Sequence, residues 1–409
     1  MNSDKKKTFI FFPIEAGLAH ITRSLAIAEE LVKRKHRVIF ALTKNKQFLV
    51  RNKNIEVLNI GEFFADEQHL DKLQDPKYLF PLVLEELEIL KQYKPDVAVI
   101  DYRFSAIIAC KKVNIPVVLI TNSEGLPPKI YLPDFGFPPY IQRLASSLFQ
   151  KIIWNFKSKY LSPLLEVAKM MNLNLTLDDL YKETIIVPEP VGYLPSYYSD
   201  NIHCVGYIGW NGLNNSPPWL RSIKPDGKTI YLTFGGTGYD GNKLVALSEQ
   251  LIQKGYRVIV SSSNIAKQKD FIKHDNLYVE KFLPGLEVCK KVDLVVCHGG
   301  VGTLFQALMA AKPVVVVPFN PDQYIHAFRF QELGLGKCVT NANISQLLKI
   351  DWDHFLALGR SVPLNKVLKV IDLVMVEQDS FKNALEECKE KFTKTDGAEK
   401  AAKLINMLK

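Results

Sequence analysis

Both halves of this 409-residue chain alternate short apolar runs with stretches of helical periodicity, and that pattern constrains the fold more than any other feature. Apolar runs of four to eight residues separated by amphipathic segments predict parallel strands joined by helical crossovers. In the first half Thr8–Phe12, Val38–Leu42, Ile55–Leu58, Val97–Ile100 and Pro116–Ile120 read as strands. Between the first two, Leu25, Ala28, Leu31 and Val32 recur at helical spacing. The layout begins again with Thr229–Phe234 and continues through Val258–Ser261, Leu277–Val279, Leu294–Cys297 and Val314–Pro318.

The length suits two domains, each able to bury its own core. Gly206, Gly209, Gly212, Asn214, Asn215, Pro217, Pro218 and Pro225 cluster where the two series meet. Such residues mark a connection. The expected division is therefore a first domain over 1–205, a linker over 206–228, a second domain over 229–390 and a C-terminal helix over 391–409. In that last segment Ala401, Ala402, Leu404, Ile405 and Leu408 form an apolar stripe suited to packing back on the first domain. No short-period repeat is present.

The composition is that of an ordinary globular protein, 47% apolar and 23% charged. No apolar run approaches the roughly 18 residues of a membrane span. Lys5, Lys6 and Lys7 precede the apolar Phe9–Phe12, but Pro13 and Glu15 interrupt that stretch short of the roughly 7–15 residues of a secretory core. It reads as a buried first strand. Six cysteines (Cys110, Cys204, Cys289, Cys297, Cys338, Cys388) lack CxxC spacing, which points to neither a disulfide framework nor a zinc site and suits a cytoplasmic compartment. Sequons at Asn174, Asn214 and Asn343 carry little meaning without a secretory signal. The formal charge of +9 suits an anionic partner such as nucleotide phosphates, an acidic membrane or nucleic acid, though Lys-rich surfaces are common. No recognised nucleic-acid-binding module is present.

The most informative segment runs from His298 to Gln323, HGGVGTLFQALMAAKPVVVVPFNPDQ. It follows a buried strand and leads into a helix starting near Thr303. Gly299, Gly300 and Gly302 let the backbone approach an anion, and the helix start offers N–H groups and a positive dipole end. His298 can add a hydrogen bond. With Phe282, Leu283 and Pro284 before it, this segment resembles the donor-binding signature of GT-B glycosyltransferases. The likeness is to the large UDP-glycosyltransferase-like family and its bacterial antibiotic- and macrolide-type members. It runs over most of the chain and is densest between Lys281 and Gly336. The resemblance implies two Rossmann-like, doubly wound parallel-sheet domains facing across a cleft, the C-terminal one binding a nucleotide-sugar. It further implies that His298, Gly300, Gly302 and Thr303 hold the donor diphosphate and Phe282 meets the base, with Leu283 and Pro284 beside it. Asp322 and Gln323 would bond the sugar hydroxyls, for which an adjacent carboxylate and amide are chemically suited.

Two residues depart from the family pattern. Gln306 stands where Glu often grips the ribose hydroxyls, and a neutral hydrogen bond is weaker than a charge-assisted one. Gly285 stands where Gln is common near the base. The donor is therefore expected to be a UDP- or a dTDP-sugar. A second glycine turn, Gly235-Gly236-Thr237-Gly238, follows the first strand of that half and resembles the family's other phosphate-side loop; read by itself it is a plain strand–helix connection.

In the first half, Gly17-Leu18-Ala19-His20 closes the first strand and opens a helix. By itself His20 reads as a surface or capping residue, and Asp101 as a strand-end turn residue. Both stand at strand C-termini, where open α/β sheets bind ligands. The resemblance makes His20 the catalytic base and Asp101 its partner, a role that suits an imidazole. Ala19 stands where the family has Gly, Thr22-Arg23 replaces a common downstream Pro, and Glu15 is a rival base.

Ile141, Leu144, Leu148, Ile152, Phe156 and Tyr160 form one apolar helical face, either core-facing or part of an acceptor lip that leaves open a peripheral membrane contact. Asp351-Trp352-Asp353 reads as a helix cap rather than a metal motif. The expected activity is metal-independent and cofactor-free transfer of a hexose-type sugar to a hydroxyl of a small or lipophilic acceptor, with inversion implied by the resemblance. An epimerase on the same architecture and a non-catalytic nucleotide-sugar-binding protein are the alternatives.

Overall fold

A computed structural model of the chain describes residues 6–15, 17–61, 74–126, 154–155, 158–194, 199–210, 216–223, 226, 228–235, 239–341, 357 and 359–408. The chain forms two compact units. The first includes Ile153–Gly212 and takes back Thr395–Lys409, and the second includes Leu213–Lys394.

The first unit is built on a seven-stranded sheet: β1 Thr8–Pro13, β2 Arg37–Leu42, β3 Ile55–Asn59, β4 Val97–Asp101, β5 Val117–Ile120, β6 Thr184–Val187 and β7 Ile202–Cys204. Its order is β3-β2-β1-β4-β5-β6-β7, and every pairing is parallel. Side chains alternate across a strand, so β1 serves two cores. Phe9 and Phe11 enter one with Ile21, Leu25, Ala28 and Leu31 of helix α1, Leu18–Lys33. Ile10 and Phe12 enter the other with residues of α2, Pro76–Tyr93, and α3, Phe104–Val113. Full burial on both faces is why β1 reads as an unbroken apolar run.

The second unit repeats the plan with β8 Thr229–Thr233, β9 Arg257–Ser261, β10 Leu277–Glu280, β11 Leu294–Cys297, β12 Val314–Val316 and β13 Gly336–Cys338. Its order is β10-β9-β8-β11-β12-β13, again all parallel. The helices of this unit are α4 Gly241–Gln253, α5 Gly285–Cys289, α6 Val301–Met309, α7 Pro321–Glu332, α8 Leu364–Val376 and α9 Gln378–Phe392. The two parallel α/β sheets are those expected from the sequence. Strands β6, β7 and β13 were not among the apolar runs read there. β7 and β13 are three residues each, and β13 opens on Gly336, where a Cβ would stand 2.1 Å from the Val314 carbonyl oxygen. That close approach requires a glycine, which hides the strand from any propensity argument.

The last helix, α10 Gly397–Met407, belongs to the first unit. Ala398, Ala401, Ala402 and Ile405 are buried in the same core as Phe9 and Phe11, with Leu404 and Leu408 partly buried against it. Asp396 caps its start by accepting from the Ala398 and Glu399 amides. Lys7 Nζ closes its end, donating to the Asn406 and Leu408 carbonyl oxygens at 2.7 and 2.6 Å. Among the described residues no helix is long and apolar enough to cross a membrane. Most of the amphipathic stretch around 141–160, the Asp351-Trp352-Asp353 segment and much of the Gly/Pro-rich connection lie outside the described residues.

Ile405→Ala is expected to lower the unfolding free energy by about 2–5 kcal/mol by cavity creation, and Asp396→Ala by about 1 kcal/mol by loss of the cap. Urea denaturation of the two variants checks both figures.

Candidate functional site

In the first unit β1 and β4 are neighbours, while β1 leads to β2 on one side and β4 to β5 on the other. The two connections therefore leave the sheet in opposite directions. A crevice opens at such a switch point, at the C-terminal ends of the strands. His20, in the first turn of α1, and Asp101, the last residue of β4, meet there. His20 Nδ1 lies 2.8 Å from Asp101 Oδ1 across 81 residues of sequence. The histidine side chain is 24% exposed and the aspartate wholly buried, so one face of the imidazole is offered outward and the other is held. The strand ends are tied by the Ile14 amide donating to the Asp101 carbonyl at 2.8 Å. Tyr102 then turns the chain at a φ of +57°, a conformation unusual for a bulky side chain. Its ring packs edge-on to His20 with centroids 5.2 Å apart.

Glu15 does not compete for the role of base. It is buried and committed to Thr43, accepting from the backbone amide at 2.8 Å and the hydroxyl at 2.5 Å. What the sequence reading missed is Arg23. Its Nε donates to Asp101 Oδ2 at 2.5 Å and its Nη2 to Oδ1 at 2.6 Å. Nη1 reaches Asn122 Oδ1, and Ser24 Oγ lies 3.3 Å from Asp101 Oδ2. The signal was available, because residues three and four beyond His20 share its helix face. Burial pushes the Asp101 carboxyl up, but Arg23 and His20 outweigh it and hold it below the usual carboxylate range.

The second unit presents the equivalent position between β8 and β11, whose connections also diverge. Gly235 follows β8 and His298-Gly299-Gly300 follows β11, so both glycine turns come to the same switch point. Gly236 and Thr237 lie outside the described residues. The His298 ring sits between the turns. A Cβ on Gly235 would stand 3.1 Å from Nε2, and one on Gly300 2.8 Å from it. Gly235 and Gly300 thus make room for the imidazole, and Gly299, at a φ of +96°, lets the chain pass Val316 and the Gln323 carbonyl. Gly302 differs, since a side chain there would meet nothing within 4 Å. Together with Thr303 it stands in the first turn of α6, whose N-cap Gly300 offers no side-chain cap; the first amides of the helix stay available to an anion.

The two departures noted in the sequence meet in space. A Cβ on Gly285 would stand 2.2 Å from Gln306 Oε1, so the Gln306 amide occupies the room that a longer residue at 285 would claim. Phe282, followed by half-buried Leu283 and Pro284, carries Lys281 Nζ 5.4 Å from its ring centroid. Gln323 is buried, and its Oε1 accepts from the Phe319 amide at 2.7 Å. Its side-chain oxygen is thus engaged within the fold, which leaves the N–H groups to donate. Exposed Asp322 precedes it in the first turn of α7, which Asn320 caps through the Gln323 amide.

Residues 229–350 match the Glycosyltransferase family 28 C-terminal domain. Over 358 residues the chain is 25% identical to the PGL/p-HBAD biosynthesis rhamnosyltransferase of Mycobacterium bovis, covering 81% of this chain and 76% of that protein. The glycotransferase of kitacinnamycin superposes with a TM-score of 0.71 at 16% identity, covering 98% of both chains. Spinosyn rhamnosyltransferase SpnG complexed with thymidine diphosphate gives a TM-score of 0.67 at 16% identity, covering 98% of this chain and 100% of that one.

Burial pushes the His298 imidazole down from 6.5 to about 4, opposed by a hydrogen bond to the Thr233 backbone. Its Nδ1 is sealed with no hydrogen-bond partner. Unfolding therefore favours proton uptake. The contribution of the neutral ring is complete above about pH 6.5 and falls away as the pH drops toward 4. Its size is on the order of 2 kcal/mol. Denaturation curves between pH 7 and pH 4 should show this loss in the unaltered protein and less of it in His298→Asn.

Proposed function

Since the chain is a glycosyltransferase of GT-B architecture, similar to the UDP-glycosyltransferase-like enzymes and their antibiotic- and macrolide-type relatives, we propose that it moves a hexose-type sugar from a UDP- or dTDP-sugar to a hydroxyl of a small or lipophilic acceptor. The transfer is a single displacement, needs no metal and inverts the anomeric carbon. The observation that carries this reading is the 2.8 Å His20–Asp101 hydrogen bond at the β1/β4 switch point. With Nδ1–H given to Asp101, the other ring nitrogen of His20 has a lone pair to take the acceptor proton. The acceptor oxygen bonds the anomeric carbon as the bond from that carbon to the phosphate oxygen breaks. The electron pair departs with the nucleoside diphosphate, and Asp101 stabilises the imidazolium that forms.

In the second unit the first amides of α6, from Gly302 and Thr303, and the dipole of that helix take the charge growing on the leaving diphosphate. With that charge carried by the helix start, the reaction needs no metal. His298 shapes the turn that carries these amides and lines the phosphate position. Phe282 offers a face for the base, with Leu283 and Pro284 behind it. Gln306 bonds the sugar of the nucleotide, and Asp322 and the Gln323 N–H groups bond the transferred sugar. Spinosyn rhamnosyltransferase SpnG is complexed with thymidine diphosphate in one structure and with spinosyn aglycone in another, and the mycobacterial relative is named for PGL/p-HBAD biosynthesis. These support a dTDP- or UDP-sugar donor and a small or lipophilic acceptor. Six cysteines without CxxC spacing support a cytoplasmic setting.

His20→Ala is expected to lower the transfer rate by about 10²–10⁴-fold while nucleotide binding, followed by thermal shift, is kept; transfer at the unaltered rate would sink the assignment. A chelator should leave the rate unchanged.

A screen of UDP, dTDP and GDP by thermal shift should select the first two over the third. Gln306→Glu should raise the preference for UDP over dTDP by about five- to tenfold, since a carboxylate bonds the 2′-hydroxyl more strongly than an amide does. An unchanged preference would remove Gln306 from the ribose.

A further inference from the structure

Asp101 carries more than a two-member pair requires. Its Oδ1 accepts from His20 Nδ1 and from Arg23 Nη2, and its Oδ2 from Arg23 Nε and Ser24 Oγ. His20, Arg23 and Ser24 stand at positions i, i+3 and i+4 of α1, so one helix face delivers all three to one carboxylate. Arg23 is itself buried, with Nη1 on Asn122 and Cζ 5.9 Å from the Tyr102 ring centroid. Among the described residues the charged groups acting on Asp101 are His20 and Arg23, both from α1, and Tyr102, the residue after β4, packs against those two. Ser24 and, beyond β5, Asn122 are neutral.

The arrangement bears on which nitrogen of His20 holds the hydrogen. A wholly buried carboxyl without a cation tends to hold its proton, and a protonated carboxyl becomes a donor. Donating to His20 Nδ1, it would leave the hydrogen on Nε2, the tautomer that takes no proton from an acceptor. Arg23 could drive the same outcome, because its Nη2 lies 3.2 Å from Nδ1. An ionised Asp101 resolves the contest. Its Oδ1 accepts from both Arg23 Nη2 and His20 Nδ1–H, at 2.6 and 2.8 Å, and both donors are satisfied.

We infer that Arg23 is a positioning residue of the transfer reaction: by keeping Asp101 ionised it holds His20 in the Nδ1–H tautomer, with Nε2 left as the base. This rests on His20 being the base. Arg23 is buried, with its guanidinium held by Asp101 and Asn122, so its part in the reaction runs through Asp101. A buried ion pair serving stability alone would leave the pH dependence of transfer where it was.

The test uses the full chain with Arg23→Met, Arg23→Lys and, as reference, His20→Ala. Arg23→Met is expected to lower kcat by about 10²-fold or more near pH 7, the scale of a wrong tautomer, with nucleotide binding within about twofold. Its acidic limb moves to higher pH by about a unit or more, because Asp101 without its cation takes a proton sooner, and raising the pH recovers part of the rate. Arg23→Lys, which keeps the charge but not the fork, recovers part of the rate at pH 7. Arg23→Met with kcat within about threefold and an unmoved limb overturns the inference while leaving the base assignment intact if His20→Ala is inactive. An active His20→Ala overturns both. Should Arg23→Met fail to fold, Arg23→Lys and the ¹⁵N shifts of His20 in the unaltered protein decide: hydrogen on Nδ1 supports the inference, and hydrogen on Nε2 overturns it.

Discussion

A parallel sheet has to be covered on both faces, and nearly everything else in this protein follows from that. Each strand must be linked to the next by a crossover packed on one face or the other, so some pair of adjacent strands sends its connections in opposite directions. In the first unit that pair is β1 and β4, in the second β8 and β11. Hydrophobic burial fixes the strands, with Phe9 and Phe11 in one core and Ile10 and Phe12 in the other. The chemistry is left to the residues just past the strand ends, which the cores hold in place without using them. Helix α10 completes one of those cores from the far end of the chain, so the rigidity beneath His20 depends partly on Ala401, Ala402 and Ile405.

The two switch points handle charge in different ways. In the first unit a full negative charge is buried at Asp101 and made tolerable by Arg23, His20 and Ser24. Such a cluster is rigid because an unpaired member would be costly, and that rigidity holds the His20 ring in one orientation. In the second unit burial keeps His298 neutral, and positive potential comes instead from the amides at the start of α6. Backbone dipoles supply that potential without burying a second ion.

The glycines of the second unit illustrate how one residue type serves different ends. Gly235 and Gly300 leave space for an imidazole, Gly299 allows a left-handed turn beside Val316, and Gly285 yields to the Gln306 amide. Gly302 alone among these faces open space, which makes it the glycine whose missing side chain serves access to the helix start rather than internal packing.

The alternation of apolar runs and helical patterns identified ten of the thirteen strands among the described residues and the two-sheet plan, because burial on both faces writes itself into consecutive apolar residues. It missed β7 and β13, whose three residues carry no pattern, and β6, a short run just before a proline. The glycine turn at His298 was legible for a similar local reason, and His20 and Asp101, which the fold brings within 2.8 Å, were singled out through resemblance. That Asp101 is shared with Arg23, that Glu15 is spent on Thr43, and that Gln306 fills the space above Gly285 are facts of tertiary structure. Each depends on the register and crossover of strands far apart in the chain, and a linear pattern records which side chains are apolar or polar but not which of them a distant strand will bring within 3 Å.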